Sequence, residues 1–285
     1  MSPYGKERVS VLDEHGYVQL VETWGSDERV IEGARMSTGG GFKGWGPYFT
    51  CARCGGPAMK VSDVQGWEGA CTQKCGPIAQ CDLLEKQQPG DEKLLRYLWE
   101  NGHSTPFEQA GITIEVRAPI VVFREWHRHR VPFGYSEASA RYAPLPALDY
   151  VPSLARMMVG SDGKNKQAGT VKGAKLLTAD YALDWTTRLH ALQEMLEAHY
   201  QAGLENGVPK ELARGSMTVF RHSTMRATGN LRGWLAFLKL RDDVHAQEEI
   251  QAYARVVHQL VREQFPRTCA LFDGGRKKQL EEDGP

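Results

Sequence analysis

The sequence predicts an α+β protein with strands in its first half, a predominantly helical second half and a small inserted segment. Residues 9–21 and 112–116 alternate between apolar and polar side chains, as half-buried strands do. Residues 42–89 are rich in glycine and hold five of the six cysteines. After residue 176, apolar residues recur at helical spacing over several long stretches.

Three elements are predicted before residue 102. The alternation over 9–21 has a polar centre, which predicts a hairpin. Ser26 is placed to cap a helix over 27–36, and the glycines at 39–41 end that helix. Beyond the insertion, leucines on one face predict a helix over 91–101.

A cluster of cations follows the next predicted helix. Apolar residues 119–123 begin this helix, with Pro119 at its first position. The cluster comprises Arg124, His127, Arg128, His129 and Arg130. Because guanidinium groups bind phosphate or carboxylate with two hydrogen bonds, one interpretation is an anion site. The other is a solvated helix end, where cations suit the helix dipole.

The second half is predicted to be helical, with one long loop and a disordered tail. Residues 144–170 lack periodicity, and 160–164 are expected to be mobile. Pro209 begins a helix that includes Arg214. The other predicted helices cover 176–204, 231–240 and 244–265, and the charged tail covers 275–285.

Composition indicates an ordinary enzyme-sized chain. The 285 residues carry a formal net charge of zero, which gives no global field that favours nucleic acid or a membrane surface. No run of 18 apolar residues predicts a membrane span. The first residues lack the apolar core of a signal peptide, so we expect a cytoplasmic protein.

The clustered cysteines predict a structural zinc site. Cys51 and Cys54 form a Cys-x-x-Cys pair followed by two glycines, and Cys71 and Cys75 supply a second pair. Four thiolates match the closed tetrahedral site that Zn²⁺ prefers. The second spacing is one residue longer than usual, and Cys81 could replace Cys75. An unmetallated loop, a redox use and an iron–sulfur centre are the alternatives.

Three sequence blocks resemble those of flavin-dependent thymidylate synthases. Arg128-His129-Arg130, followed by Ser139 and Arg141-Tyr142, is similar to the signature of that family. Ser-Thr-Pro-Phe-Glu at 104–108 precedes it, and Leu-Arg-Asp-Asp-Val-His-Ala-Gln at 240–247 follows it. The resemblance implies the family's fold, a mixed sheet core with long helices in the C-terminal half. It places a catalytic domain at 1–274, interrupted by the zinc-ribbon-like insertion.

The resemblance also implies the chemistry. Members of the family bind FAD between subunits of a homotetramer, reduce it with NADPH, and use methylenetetrahydrofolate to convert dUMP into dTMP. No enzyme nucleophile is needed in this scheme. That suits the sequence, because Cys269 lies among apolar residues, where a thiol is inert.

Residue by residue, the resemblance assigns ligands. For FAD these are Ser37, Thr105, Glu108, Arg128, His129, Arg130, Asn230, Arg232, Leu240 and His245. For the nucleotide they are Glu125, Arg128, Glu137, Ser139, Ala140, Arg141, Arg214 and Arg241. The expected catalytic residues are Arg241, which faces the base, Ser139, which acts as a ligand donor, and His129.

Several of these residues also have structural interpretations. Thr105 and Glu108 have the spacing of a helix capping box. Asn230 is a normal helix cap, and His245 is placed near a helix start. Arg214 also fits an exposed helix position.

Departures from the family pattern leave the base and product open. Glu125 replaces a common glutamine, Ala236 replaces a common asparagine, and the loop after Arg130 is one residue longer. A carboxylate could accept the exocyclic amine of cytosine, so methylation or hydroxymethylation of dUMP or dCMP for modified DNA is the alternative. A non-catalytic zinc-ribbon module that binds nucleic acid is more distant, because the charges of the insertion balance.

Overall fold

The computed structural model describes residues 7–51, 54–63, 66–71, 87–158 and 177–283. The chain forms two compact units. One contains Met1–Thr23 and Ile112–Val261, and the other contains Trp24–Gly111 and Arg262–Pro285.

The strands and helices of the described residues follow in chain order. The first half contains β1 (Val9–Ser10), β2 (Tyr17–Trp24), α1 (Asp27–Arg35), β3 (Phe49–Thr50), β4 (Pro57–Asp63), β5 (Gly66–Cys71), α2 (Asp91–Glu100), β6 (Gly111–Pro119), α3 (Ile120–Trp126) and β7 (Gly134–Glu137). The second half contains α4 (Leu154–Met157), α5 (Ala179–Glu205), α6 (Lys210–Ala213), β8 (His222–Asn230), α7 (Leu231–Arg241), α8 (Glu248–Gln264) and α9 (Pro266–Asp283). Short 3₁₀ turns cover Met36–Thr38, Thr105–Gln109 and Arg214–Ser216.

The first unit is built on a five-stranded sheet in the order β1-β2-β6-β8-β7. Both edge pairs, β1 with β2 and β7 with β8, are antiparallel. Ile112, Ile114 and Val116 of β6 are fully buried, as their alternation predicts. Helix α8 buries Tyr253 and Val257, which are spaced as one helical face. The hairpin predicted at the N-terminus is confirmed.

Among the described residues, the second half is predominantly helical as predicted, and strand β8 is the element in it that the sequence did not predict. β8 occupies an interior position in the sheet, and α7 follows it directly. Its buried residues include Met225 and Ala227, which favour strands less than β-branched residues do. Burial in the sheet therefore decides the conformation here, and local propensity does not.

Helix boundaries also differ from the predictions in detail. Pro119 precedes α3 as its N-cap, whereas the sequence predicted it at the first helical position. Thr105 is the first residue of a 3₁₀ turn whose N-cap is Ser104, whereas a capping box would place Thr105 at the N-cap. Helix α8 begins at Glu248, so His245 lies in the loop before it. A one-turn helix, α4, lies within the predicted long loop. Residues 160–164 of that loop fall outside the described part of the chain.

In the second unit, α1 is capped by Ser26 as predicted, with the Arg29 amide 3.4 Å from Ser26 Oγ. Gly39 ends the turn after α1 in the left-handed conformation, with φ of 66°. Buried Asp27 accepts hydrogen bonds from the Arg267 amide at 2.8 Å and the Thr268 hydroxyl at 2.6 Å. These contacts anchor the start of α9.

Helix α9 continues to Asp283, into the segment that the sequence predicted to be a charged tail. Cys269, on this helix, is fully buried, as its apolar neighbours predict. An anchored first turn favours helix propagation into a polar sequence that would not nucleate a helix by itself.

Part of the predicted insertion forms a three-stranded antiparallel sheet, β3-β4-β5. Thr50 pairs with Pro57, and Cys71 pairs with Ala58, so Cys51 and Cys71 lie at the same end of this sheet. Cys75 and Cys81 lie outside the described residues. Across the described part of the chain, no helix combines the length and apolarity that a bilayer crossing requires.

Candidate functional site

Three predicted site residues meet where α3 ends and α7 ends. Arg241, the last residue of α7, donates from Nε to His129 Nε2 at 3.0 Å. It donates from Nη1 to Glu125 Oε2 at 2.8 Å and from Nη2 to the Glu125 carbonyl at 3.1 Å. Three hydrogen bonds therefore fix the plane of the guanidinium group, and the sequence pattern had assigned all three residues to the site.

The environment sets the protonation of His129. Burial, followed by the positive charge of Arg241, lowers the pKa of His129 from 6.5 to about 4. The ring is therefore neutral at neutral pH. Because an arginine can only donate, Nε2 of His129 is the acceptor and Nδ1 carries the proton.

Glu125 is shifted in the opposite direction. Burial raises the pKa of the Glu125 carboxyl, while Arg241 lowers it and the carboxylate of Glu249 raises it further. The net shift is upward, so Glu125 takes up a proton more readily than an exposed glutamate. Burial and Glu249 thus favour the neutral form of the Glu125 carboxyl, whereas the paired Arg241 favours its charged form.

Tyr135 holds the turn that carries the predicted anion ligands. Its hydroxyl donates to the His129 carbonyl at 2.6 Å and lies 3.3 Å from the Trp126 carbonyl. Burial raises the pKa of this hydroxyl, which keeps it a donor. Sequence reasoning missed Tyr135, although Phe133 and Tyr135 alternate with Gly134 and Ser136, which is a strand signal that could have found it.

The loop after this turn packs closely on the junction between β8 and α7. A Cβ on Gly233 would lie 2.3 Å from Pro132 Cδ, and one on Gly229 would lie 2.5 Å from Phe133. Two glycines thus permit an approach that other residues would prevent. Between them, Asn230 caps α7 by accepting from the Gly233 amide at 3.0 Å, as predicted.

Helix α7 presents an exposed face that carries predicted flavin ligands. Arg232, Ala236 and Leu240 are spaced four residues apart and are exposed, while Trp234 and Leu238 on the other face are buried. Leu240 is 61% exposed, which is unusual for a large apolar side chain. Arg128 and Arg130 are also exposed.

The predicted phosphate ligands lie on the turn after β7 and near α6. Arg141 Nε donates to Ser139 Oγ at 3.3 Å, and its guanidinium carbon lies 5.0 Å from the centre of the Tyr142 ring. Lys210, in α6, donates from Nζ to the Tyr142 carbonyl at 3.1 Å. This contact brings α6 to the turn, and exposed Arg214 directly follows α6.

The remaining nucleotide and flavin candidates of the first unit have simpler surroundings. Glu137 is exposed and pairs with Met225 at the end of β7. Ala140 is buried. His245 is exposed, and its Nδ1 lies 2.8 Å from Asp243 Oδ1.

The second unit holds the other three flavin candidates. Ser37 is exposed in the 3₁₀ turn after α1, and its hydroxyl donates to the Ala34 carbonyl at 3.4 Å. Thr105 and Glu108 lie in the 3₁₀ turn Thr105–Gln109, against which α1 packs. A Cβ on Gly33 of α1 would lie 2.9 Å from the side chain of Gln109, so this packing depends on glycine.

Comparison with known proteins gives a consistent result. A profile of the thymidylate synthase complementing protein family matches residues 19–267. The flavin-dependent thymidylate synthase of Thermotoga neapolitana is 34% identical over 265 residues, which cover 93% of this chain and 94% of that protein. The enzyme of the same name from Treponema pallidum is 30% identical over 277 residues, 97% of this chain and 75% of that protein.

Among solved structures, the chain is similar to the UMP/dUMP methylase PolB from Streptomyces cacaoi bound with 5-Br dUMP. The TM-score is 0.66 with 26% identity, over 93% of this chain and 97% of that chain. The fold expected from the sequence resemblance is therefore confirmed. Since the profile covers most of its length, the chain belongs to the thymidylate synthase complementing protein family.

Proposed function

We propose that the protein transfers a one-carbon unit from methylenetetrahydrofolate to C5 of dUMP and yields dTMP, with FAD as hydride carrier and NADPH as reductant. The observation that carries this proposal is the cluster of Arg241, His129 and Glu125 within a chain of this family. A bond forms between the methylene carbon and C5, tetrahydrofolate leaves, and the C5 hydrogen departs as a proton. When bound, reduced FAD would supply the hydride that completes the methyl group.

The residues of this chain would position and stabilise rather than attack. Arg241 is held by three hydrogen bonds, and its other terminal N–H groups have no partner among the described residues. They are suited to a uracil carbonyl on which negative charge develops. Neutral His129 fixes the orientation of Arg241 without adding a second cation. Arg141 and Arg214 would bind the nucleotide phosphate.

The exposed groups near this cluster fit a flavin dinucleotide. Arg128, Arg130 and Arg232 offer guanidinium groups for a pyrophosphate, and exposed Leu240 offers an apolar surface for a ring system. Ala236 leaves room beside them because its side chain is small. We also propose Ser37, Thr105 and Glu108, which lie in the second unit, as flavin ligands.

Glu125 favours a second candidate, the modification of a cytosine nucleotide. Its carboxyl accepts a hydrogen bond from the guanidinium group that is proposed to face the base. A carboxylate would accept the exocyclic amine of dCMP. If water captured the transferred methylene before reduction, the product would be hydroxymethylated.

We also propose that the protein is a homotetramer, and an exposed apolar row on helix α5 supports self-association. Its residues Tyr181, Trp185, Leu192 and Met195 follow the four- and three-residue spacing of a helix-packing seam, and all four are exposed. A second copy of the chain would cover them. Sedimentation of the purified protein tests this, and a monomer or a dimer at micromolar concentration would contradict it. Because nucleotides, folate and NADPH are cytoplasmic metabolites, we also propose that compartment.

We propose that residues 42–89 form a zinc ribbon inserted into one catalytic domain. The Gly55 amide donates to the Cys51 carbonyl at 2.9 Å, and the Cys51 amide donates to the Gly56 carbonyl at 2.8 Å. This tight turn is typical of a zinc knuckle. Cys51, Cys54 and Cys71 come from the same end of the small sheet, and Cys75 would be the fourth ligand.

The direct test offers dUMP, UMP and dCMP separately with methylenetetrahydrofolate, NADPH and FAD, and identifies products by mass spectrometry. The main proposal expects dTMP from dUMP and no product when FAD or NADPH is omitted. A Glu125→Gln variant separates the candidates, since it should retain activity on dUMP but lose any activity on dCMP. If no nucleotide is converted, both candidates are refuted.

A further inference from the structure

Arg35 and Asp91 form a two-pronged ion pair in the second unit. Asp91, the first residue of α2, is 1% exposed, and Arg35 is the last residue of α1. Arg35 Nη1 donates to Asp91 Oδ2 at 3.0 Å, and Nη2 pairs with Oδ1. Such parallel hydrogen bonds fix orientation as well as charge, because both planar groups must align.

The same arginine organises the glycine-rich segment that follows α1. Arg35 Nη1 donates to the Gly41 carbonyl at 2.8 Å. The Arg35 carbonyl accepts from the Gly40 amide at 3.3 Å and from the Thr38 hydroxyl at 3.1 Å. Residues 36–41 therefore wrap around Arg35, and Ser37, a proposed FAD ligand, lies exposed within that segment.

Asp91 organises the chain where it enters the insertion. Its Oδ2 accepts from the Lys43 amide at 2.7 Å and from the Gly44 amide at 3.3 Å. Its own amide donates to the Gly44 carbonyl at 2.9 Å. The buried carboxylate thus binds the start of the insertion and Arg35 at once.

Further contacts hold residues 43–46, which we call the base of the insertion, against α1 and α2. Trp45 Nε1 donates to Glu28 Oε1 at 2.6 Å, and the Gly46 amide donates to Glu92 Oε2 at 2.8 Å. A Cβ on Gly90 would lie 2.4 Å from the Gly46 carbonyl oxygen, so the two chain segments touch. The base is therefore a fixed part of this unit.

We propose that Arg35 and Asp91 are positioning residues that hold the Ser37 segment in a flavin-binding shape and couple it to the base of the insertion. This inference rests on the proposed function, because it takes Ser37 as an FAD ligand. A segment with three consecutive glycines, residues 39–41, loses much conformational freedom when it is ordered. An ion pair that orders it beforehand removes that cost from flavin binding.

The test compares Arg35→Gln, Asp91→Asn and the double variant with wild type. FAD and dUMP dissociation constants are measured by fluorescence titration on the full chain, together with the thermal midpoint. Each single variant should raise the FAD Kd about tenfold, equivalent to about 1.4 kcal/mol, and leave the dUMP Kd within about twofold. The FAD Kd of the double variant should be no higher than that of the single variant with the larger effect, because both residues act through one contact. Arg29→Gln, on the same helix, is the control and should not change the FAD Kd.

A purely structural role gives a different pattern. FAD and dUMP affinities would then fall together with the thermal midpoint, and that result overturns the proposal. If wild type binds FAD and Arg35→Gln binds it equally well, the proposal is also wrong, even where Asp91→Asn fails to fold. If wild type binds no FAD at all, the proposed function itself fails. Arg35→Lys, which keeps the charge but loses the planar fork, should recover only part of the affinity.

Discussion

At position 129 the fold converts a histidine into a neutral hydrogen-bond acceptor for Arg241. A histidine between two arginines in sequence suggests a third cation, yet burial and the facing guanidinium group exclude the proton. The spacing of the sequence pattern identified this residue, but not its charge. The charge depends on burial and on Arg241, which lies 112 positions away along the chain.

The neutral state of His129 predicts a pH dependence of stability. Its pKa is about 4 in the folded state and 6.5 in the unfolded chain. Between these values the unfolded chain binds a proton that the native state does not, so stability falls as pH falls through this window and is intact above it. NMR titration of the His129 ring should give a pKa well below 6.5. A value at or above 6.5 would contradict the account, and His129→Gln should flatten the acid loss of stability.

The phosphate ligands give a second prediction at this scale. Changing Arg141 or Arg214 to glutamine should raise the dUMP Kd about 10–100-fold, because a charge-assisted bond worth roughly 1.5–3 kcal/mol is lost. Calorimetric titration measures this. Arg188→Gln, which removes an exposed arginine paired with Asp184 on α5, is the matched control. If neither site variant differs from this control, the assignment of both arginines is wrong.

At the scale of elements, α7 and the strand before it decide the geometry of the candidate site. The cap at Asn230 and the helix itself were predictable from local sequence, because capping depends on one side chain and its near neighbours. β8 was not predictable, because its residues become strand only through pairing within the sheet. The close approach of Pro132 to Gly233 was equally hidden, since it joins distant parts of the sequence.

Substitution of the helix glycines tests this packing. Gly233→Ala should lower the free energy of unfolding by about 1–3 kcal/mol, because its Cβ overlaps Pro132. It should also weaken FAD binding, since the loop that it displaces follows Arg130. Gly203→Ala on α5 is the control. Its Cβ would meet nothing closer than Val208 at 3.7 Å, so it should be neutral or add up to about 1 kcal/mol of helix stability. Denaturant unfolding compares them, and equal effects would refute the packing argument.

At the level of the complete chain, the catalytic blocks and the insertion left different kinds of signal in the sequence. The resemblance predicted the catalytic blocks because they recur as short motifs, while the insertion was visible only as a cysteine cluster that interrupts them. The anchoring of its base by Asp91 had no local signal, because Asp91 reads as an ordinary first-turn acid of α2.

The proposed ribbon predicts one Zn²⁺ per chain. Changing both Cys51 and Cys54 to serine should remove the metal and expose the inserted segment to protease, because so small a segment needs a metal to stay folded. FAD binding should largely persist, since the base of the insertion is held by Asp91 and Trp45. Elemental analysis and limited proteolysis measure these outcomes. A freshly purified protein without zinc, or with a disulfide between the two cysteines, would contradict the ribbon.

An anaerobic single turnover tests the proposed flavin-dependent methylation of dUMP. The protein is loaded with FAD, the flavin is reduced by NADPH, and the excess NADPH is removed. The reduced protein is then mixed with dUMP and methylenetetrahydrofolate while flavin absorbance is followed. The oxidised flavin spectrum should return as dTMP forms in equal amount, and neither change should occur without the folate. The proposed reaction would be contradicted if the flavin stays reduced and dUMP is not converted, or if dTMP forms without oxidation of the flavin.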